Sequence, residues 1–354
     1  MKRTADVFLV RCRSGARNGV GSGEGPHATA TRGHRMIEYY KTSLTGVTER
    51  VTSPERGCWI NVVQPTERER AWLQNEAGIV PEFVRSALDE EESSHIDYDD
   101  DADQVLIIVD CPSVEDEQEK ETPTLTQYDT QPLSVLFLRD KGMLVTISLH
   151  GSVIVDDFAA GRVRQIDTTR RARFLLQLLL RISQQYLVYL RSIDRQFSKA
   201  EKQLHATMRN EELIKMLGLE KSLVYFSISL KADETTLNRI MGGRIIKLYE
   251  EDQELLDDVL IEIHQAMEMC KIYSDILTKT MDAFSSVISN NLNNVMRVLT
   301  TITIVMAIPT IIFSFYGMNV GDLPESSTWL FPALLSLVLC IIAVVFFWRK
   351  NMLK

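Results

Sequence analysis

Residues 298–321 read VLTTITIVMAIPTIIFSFYGMNVG, a run of 24 without a charged side chain. About 20 apolar residues suffice for a helix to cross roughly 30 Å of hydrocarbon, and this run exceeds that. A second uncharged run, SSTWLFPALLSLVLCIIAVVFFW, fills residues 326–348. Its Trp329 and Trp348 stand where interfacial aromatic anchors belong. The connection, 320–328, holds Asp322 and Glu325 and no basic residue, whereas Arg297 precedes the first run and Arg349, Lys350 and Lys354 follow the second. Basic residues stay on the cytoplasmic side, so two spans of a cell-membrane protein are predicted, with both termini and the upstream domain cytoplasmic. Two spans do not enclose a pore, so conduction would require an oligomer.

The two runs differ in character. The second is mostly Leu, Ile, Val and Phe, while the first contains Thr300, Thr301, Thr303, Thr310 and Ser314 with Pro309 among them. Helical spacing gathers Asn293, Met296, Leu299, Thr303, Ala307, Thr310 and Ser314 on one side. Such a face suits close helix packing or a wet pore wall, and periodicity leaves both open.

Upstream, residues 244–308 contain neither Gly nor Pro. Leu256, Ile263, Cys270, Leu277 and Phe284 recur every seventh residue, with Leu260, Met267, Tyr273, Met281 and Ile288 as a second seam. That pattern predicts a coiled-coil-like helix, and 65 residues at 1.5 Å each give roughly 100 Å, a stalk rather than a core element. Helices are also predicted over 170–210, with Phe174, Leu178, Ile182, Leu187, Leu190 and Ile193 on a stripe, and over 221–248.

Residues 36–165 are punctuated by Pro54, Pro65, Pro81, Pro112, Pro123 and Pro132, with short apolar runs at 59–63, 104–109, 133–138 and 143–149. The last two flank Arg139-Asp140-Lys141-Gly142 and read as a β-hairpin. Residues 66–75, opened by Thr66, and 81–91 read as short helices. Together these indicate an α/β domain, and the whole chain an α+β membrane protein. Residues 1–35 carry seven Lys/Arg against two acids and six of the 17 glycines. They read as a disordered tail, a vector remnant, or sequence upstream of a start at Met36. The resulting division is 1–35, 36–165, 166–248, 249–317, 318–328, 329–348 and 349–354.

Composition excludes several classes. The net charge of −9 gives no footing for a nucleic-acid partner. The five cysteines are isolated, with no CxxC pair, which argues against a disulfide scaffold or zinc ribbon. His95, His150, His205 and His264 are scattered, and no GxxxxGK[ST] loop occurs. Neither an enzyme, an organic cofactor nor an ATP-driven pump is indicated.

Tyr316-Gly317-Met318-Asn319 closes the first span, after a long proline-free stalk and before an acidic loop, a second span and a basic tail. This arrangement resembles the CorA magnesium-transporter family, whose hallmark is Gly-Met-Asn at this place. The resemblance runs from about Met36 to Lys354 and is strongest over 288–320. It implies a homopentameric funnel in which the first span of each subunit lines the pore. It places the pore wall on Asn293, Met296, Leu299, Thr303, Ala307 and Thr310, and the selectivity filter on Gly317, Met318 and Asn319. Pro309 stands one residue nearer the motif than in the familiar pattern, and Ala307 is small where a larger apolar residue is common. The loop reads Gly321-Asp322-Leu323-Pro324-Glu325-Ser326, in which Glu325 keeps the family's acid after proline.

The chemistry implied suits Mg²⁺, which sheds water reluctantly and takes six oxygens. A ring of Asn319 carboxamides offers neutral oxygens to the hydrated ion and still permits release. Gly317 would let the backbone leave the helix so that its carbonyls join the ring. Met296 and Leu299 fit an apolar gate or plain helix packing. Of the acids, residues 89–121 contain 15, with Lys120 as the only Lys or Arg. The resemblance gives Asp258, with neighbouring Asp257, a role in regulatory Mg²⁺ binding between subunits. Ser86 occupies the aligned partner position, leaving Asp89 or Glu90 as substitutes. Two other functions stay open: a zinc transporter of the same superfamily, with or without proton coupling, and a membrane-anchored coiled-coil sensor or scaffold.

Overall fold

The chain is seen in a computed structural model that describes residues 37–43, 46–114, 126–207, 209–243, 245–318 and 330–350. The expected N-terminal tail, most of the 318–328 loop and the end of the basic tail lie outside these residues. Strands β1 (Ile37–Thr42), β2 (Thr48–Val51) and β3 (Trp59–Val63) come first, then helices α1 (Glu67–Asn75) and α2 (Pro81–Ser86). Strands β4 (His95–Asp99), β5 (Gln104–Val114), β6 (Tyr128–Leu138) and β7 (Met143–Ser148) follow, and then helix α3 (Val153–Ala159). The seven strands form one sheet in the order β2-β1-β3-β7-β6-β5-β4. Neighbours are antiparallel except β3 and β7, which run parallel from Trp59↔Leu144 to Val63↔Ser148.

The central strands read as unbroken apolar runs because both faces of the sheet are covered. Val105, Ile107 and Val109 of β5 enter one core, and Leu106 and Ile108 enter the other. The second core is closed by Leu73 of α1 with Phe83 and Val84 of α2. Thr66 and Glu69 form a capping box that starts α1. The predicted hairpin is β6–β7, closed at Leu138↔Met143. Gly142 in its turn has φ +64°, and a Cβ there would stand 3.0 Å from the Arg56 side chain, so glycine is favoured.

Sequence reading stops β5 at Val109 and starts β6 at Leu133; the structure carries both further, through Pro112 and Pro132. Each proline lies past the end of the neighbouring strand. The β4 partners of β5 end at Ile108 and the β7 partners of β6 begin at Leu133, so the missing N–H costs no ladder bond.

Three long helices, α4 (Arg171–Thr207), α5 (Asn210–Met241) and α6 (Glu250–Tyr316), pack over the first core, and α7 (Leu330–Arg349) ends the described chain. The predicted α4 stripe and the heptad Leu256, Ile263, Cys270, Leu277 and Phe284 of α6 are all buried. The predicted helix over 221–248 is corrected: α5 begins at Asn210 and stops at Met241. Gly218 is accommodated inside it, buried, whereas Gly243, at φ +66°, ends it. A buried polar stripe on α5 meets the end of the sheet. Ser222 accepts from the Tyr128 N–H at 2.9 Å, and Asp233 Oδ1 accepts from the Asp110 N–H at 2.9 Å. That N–H faces the side on which β4 has already ended, so Asp233 supplies the partner the sheet no longer provides.

Candidate functional site

α6 runs for 67 residues without interruption and holds Pro309 within it. Its C-terminal part and α7 are both long and apolar enough to cross a membrane. They pack on each other along one stripe. Between Val298 and Tyr316 of α6 the buried or half-buried positions are Val298, Thr301, Val305, Ile308, Pro309, Ile312 and Tyr316. On α7 they are Pro332, Ala333, Ser336, Cys340, Ala343 and Phe347, with small residues from Ala333 to Ala343. Small side chains at this spacing let the two backbones approach closely. Tyr316 and Phe331 rings lie 6.2 Å apart at one end, and Cys340 Sγ is 3.7 Å from the Val305 carbonyl oxygen further along. Reading the second span as mostly Leu, Ile, Val and Phe does not reveal this stripe, whose signal in the sequence is the four-four-three spacing of Ser336, Cys340 and Ala343 after Pro332.

Met296, Leu299, Thr303, Ala307 and Thr310 are all exposed. At ~100° per residue, Leu299, Thr303 and Thr310 fall roughly 160°, 200° and 180° around α6 from Thr301, and Met296 and Ala307 within about 60° of the far side. Asn293, also exposed, lies only about 80° from Thr301 by the same count. The hydroxyl-bearing face thus points away from α7, and packing between the two spans does not explain it.

The threonines are oriented by their own helix. Thr303 Oγ1 donates to the Leu299 carbonyl at 2.8 Å and Thr310 Oγ1 to the Met306 carbonyl at 3.3 Å. With the proton committed inward, the oxygen lone pairs that remain are acceptors only. Such a surface can accept hydrogen bonds from water.

Gly317 follows α6 directly, with φ −82° and ψ −4°. The expectation that it breaks the backbone away from the helix is therefore revised. It keeps the right-handed conformation, its N–H donates to the Phe313 carbonyl at 2.9 Å, and a Cβ there would stand 3.1 Å from that oxygen. Glycine provides clearance beside the last carbonyls. Met318 is exposed next to it. Asn319, Asp322 and Glu325 lie outside the described residues.

Asp257 and Asp258 are exposed on the second turn of α6, and Asp89 and Glu90 are exposed just beyond α2. Asp89 Oδ1 accepts from the Glu91 N–H at 3.1 Å, and Glu90 Oε1 lies 3.2 Å from His150 Nε2. Among the described residues of one chain, no three His, Cys, Asp or Glu side chains are placed to hold a metal ion. The two predicted acidic pairs are not brought together within a subunit.

The profile of a family described as CorA-like Mg2+ transporter protein matches residues 54–350. The cobalt/magnesium transport protein CorA of Methanocaldococcus jannaschii is 28% identical over 304 residues, covering 82% of this chain and 90% of its own. The magnesium transport protein CorA of Helicobacter pylori is 22% identical over 307 residues, covering 83% of this chain and 90% of its own. Among solved structures, the complete structure of the CorA magnesium transporter from M. jannaschii superposes with a TM-score of 0.72 at 24% identity. That superposition covers 89% of this chain and 96% of the other.

Proposed function

The chain belongs to the CorA-like Mg2+ transporter family, and from that membership we propose that it forms a homopentameric channel for hydrated divalent cations, Mg²⁺ foremost. The observation that carries this reading is the orientation of Thr303 and Thr310. They stand opposite the stripe that packs on α7, with their protons turned inward and acceptor oxygens outward. Five such faces around an axis would line a wet path, because threonine oxygens accept from the ion's own water shell without stripping it. Leu299 and Met296, exposed on the same side, would form an apolar constriction that closes by dewetting. Asn319 carboxamides, beside the carbonyls that Gly317 leaves uncrowded, would select the ion at the extracytoplasmic mouth. Both termini would be cytoplasmic.

Regulation by internal Mg²⁺ would use Asp257 and Asp258 of one subunit with Asp89 or Glu90 of the next. Carboxylates facing each other across a subunit boundary repel until a divalent ion bridges them, so the ion favours one packing.

Flux in liposomes containing the purified protein tests the proposal. Mg²⁺ should enter, and the detergent-solubilised mass should be near five times 40.3 kDa. Asn319→Ala should leave that mass unchanged and nearly abolish flux. Undiminished flux in a folded Asn319→Ala pentamer, or conduction by a monomer or dimer, would overturn it. Competition by Co²⁺, Ni²⁺ and Zn²⁺ in the same assay fixes the preferred ion, and Zn²⁺ outcompeting Mg²⁺ would replace the magnesium assignment with the zinc one.

A further inference from the structure

Between the start of α4, the β6–β7 hairpin and the segment entering α6 lies a cavity of about 660 Å³. Among the described residues, its wall carries Arg139, Arg170, Arg171, Arg173 and Lys247 against two acids, Glu251 and Asp252. This excess of positive charge stands out in a chain of net charge −9. Both acids are already engaged: Glu251 with Arg170 at 2.8 Å and Asp252 with Arg173 at 3.4 Å. Arg139 reaches outward to Asp103 at 3.2 Å.

Arg171 and Lys247 have no carboxylate at ion-pair distance among the described residues. Lys247 lies 5.8 Å from the ring centre of Tyr249. Arg171 is half-buried and donates to the Leu138 carbonyl at 3.3 Å. Burial first, then the positive charges of Arg139 and Arg56, push its pKa down. A guanidinium does not deprotonate in response, so these like charges stand together at a cost in stability. The 37-residue helix α4 also begins here with no acid in its first turn, adding the partial positive charge of its N-terminus.

We propose that this cavity binds a soluble phosphorylated anion through Arg171, Lys247 and the donors of Arg170 and Arg173 left free by their carboxylates. Guanidinium forks match phosphate oxygens two at a time, which ammonium groups and lone amides do not. The volume exceeds that of one phosphate group, and Phe137 and Tyr249 give part of the wall an aromatic character suited to an organic portion. A lipid headgroup is excluded by distance, since the start of α6 is roughly 70 Å along the helix from the first span. The site does not depend on which ion the pore conducts.

The test is calorimetric titration of the full-length protein in detergent, with EDTA present and ionic strength held constant. Orthophosphate, tripolyphosphate and ATP are compared with chloride. At least one phosphoryl ligand should bind saturably, one per chain, with no equivalent heat from chloride. Arg171→Gln should weaken that binding at least tenfold, and Arg171→Lys should restore part of it. Lys247→Gln, at an exposed position, should weaken it severalfold and serves if Arg171→Gln fails to fold. Tighter binding of ATP than of tripolyphosphate would assign the aromatic wall to a base; equal binding would assign the site to the phosphates alone. Absence of saturable binding by all three, or wild-type affinity in both Arg171→Gln and Lys247→Gln, would overturn the proposal.

Discussion

Cys340 of α7 directs its sulfur at the carbonyl oxygen of Val305 on α6, 3.7 Å away. Val305 is four residues before Pro309, which has no N–H, so this carbonyl is the acceptor that the proline leaves without its helical donor. In hydrocarbon no water takes over that role. The thiol replaces one internal bond with one between spans.

Cys340→Ala should therefore lower unfolding stability in detergent by about 0.5–1 kcal/mol, the range of a weak bond between membrane helices. Cys340→Ser should keep it. In a Pro309→Ala background, where residue 309 regains its N–H, Cys340→Ala should cost nothing further. Equal losses in both backgrounds would show that the sulfur contributes only packing.

The two faces of α6 are separable by an isosteric change. Thr303→Val removes an acceptor from the exposed face and should reduce ion flux about fivefold, as expected for loss of ~1 kcal/mol at one hydrogen bond. Thr301→Val, on the buried side against α7, should change flux less than twofold in the same assay. The reverse ranking would place the conducting face elsewhere.

How much of this was readable beforehand depends on the type of signal. The spans, the stalk and the heptad from Leu256 to Phe284 were legible because long periodic patterns leave few alternatives. Strand β1 and helix α3 were not, since neither carries a turn signature strong enough to outweigh the surrounding loops. The end of β5 was hidden by Pro112, whose harmlessness depends on where β4 stops, a fact of tertiary pairing. The candidate pore residues were found by spacing, but the choice between packing face and open face needed α7 in place. The charged cavity draws on Arg139, on Arg171 and on Lys247, so no local motif announces it.

The buried carboxylates at the junction of β5 and α5 predict a pH dependence. Desolvation pushes Asp110 up to about 6, and desolvation followed by the charge of Asp110 holds Asp233 well above the carboxylate range. Between the unfolded value near 4 and about 6, the folded state binds more protons than the unfolded one, so stability falls as pH rises through that window. Each unit is worth about 1.4 kcal/mol. Asp110→Asn should flatten this slope in thermal unfolding measured from pH 4 to 7, with its largest relative gain above pH 6. A slope unchanged in the variant would contradict the assignment.

The exposed acids of α6 give a test of regulation that leaves the filter untouched. If these acids hold regulatory Mg²⁺ as proposed, Asp257→Ala combined with Asp258→Ala should weaken the inhibition by internal Mg²⁺ and the protection of the stalk from proteolysis that the proposal expects of the wild type. Ion preference should stay the same. Wild-type inhibition together with wild-type protection would move the regulatory site away from this turn.

The unbroken length of α6 has an electrostatic result at its far end. Its peptide dipoles add up toward the C-terminus, where they amount to roughly half a negative elementary charge. That end is Gly317, where a Cβ would crowd the Phe313 carbonyl at 3.1 Å. In the proposed channel a cation arriving there would meet attraction from the backbone itself, and none of the described residues from Phe313 to Met318 is a carboxylate. Capture in that channel would come from the end of the helix, and release from the neutrality of the described side chains of its last turn.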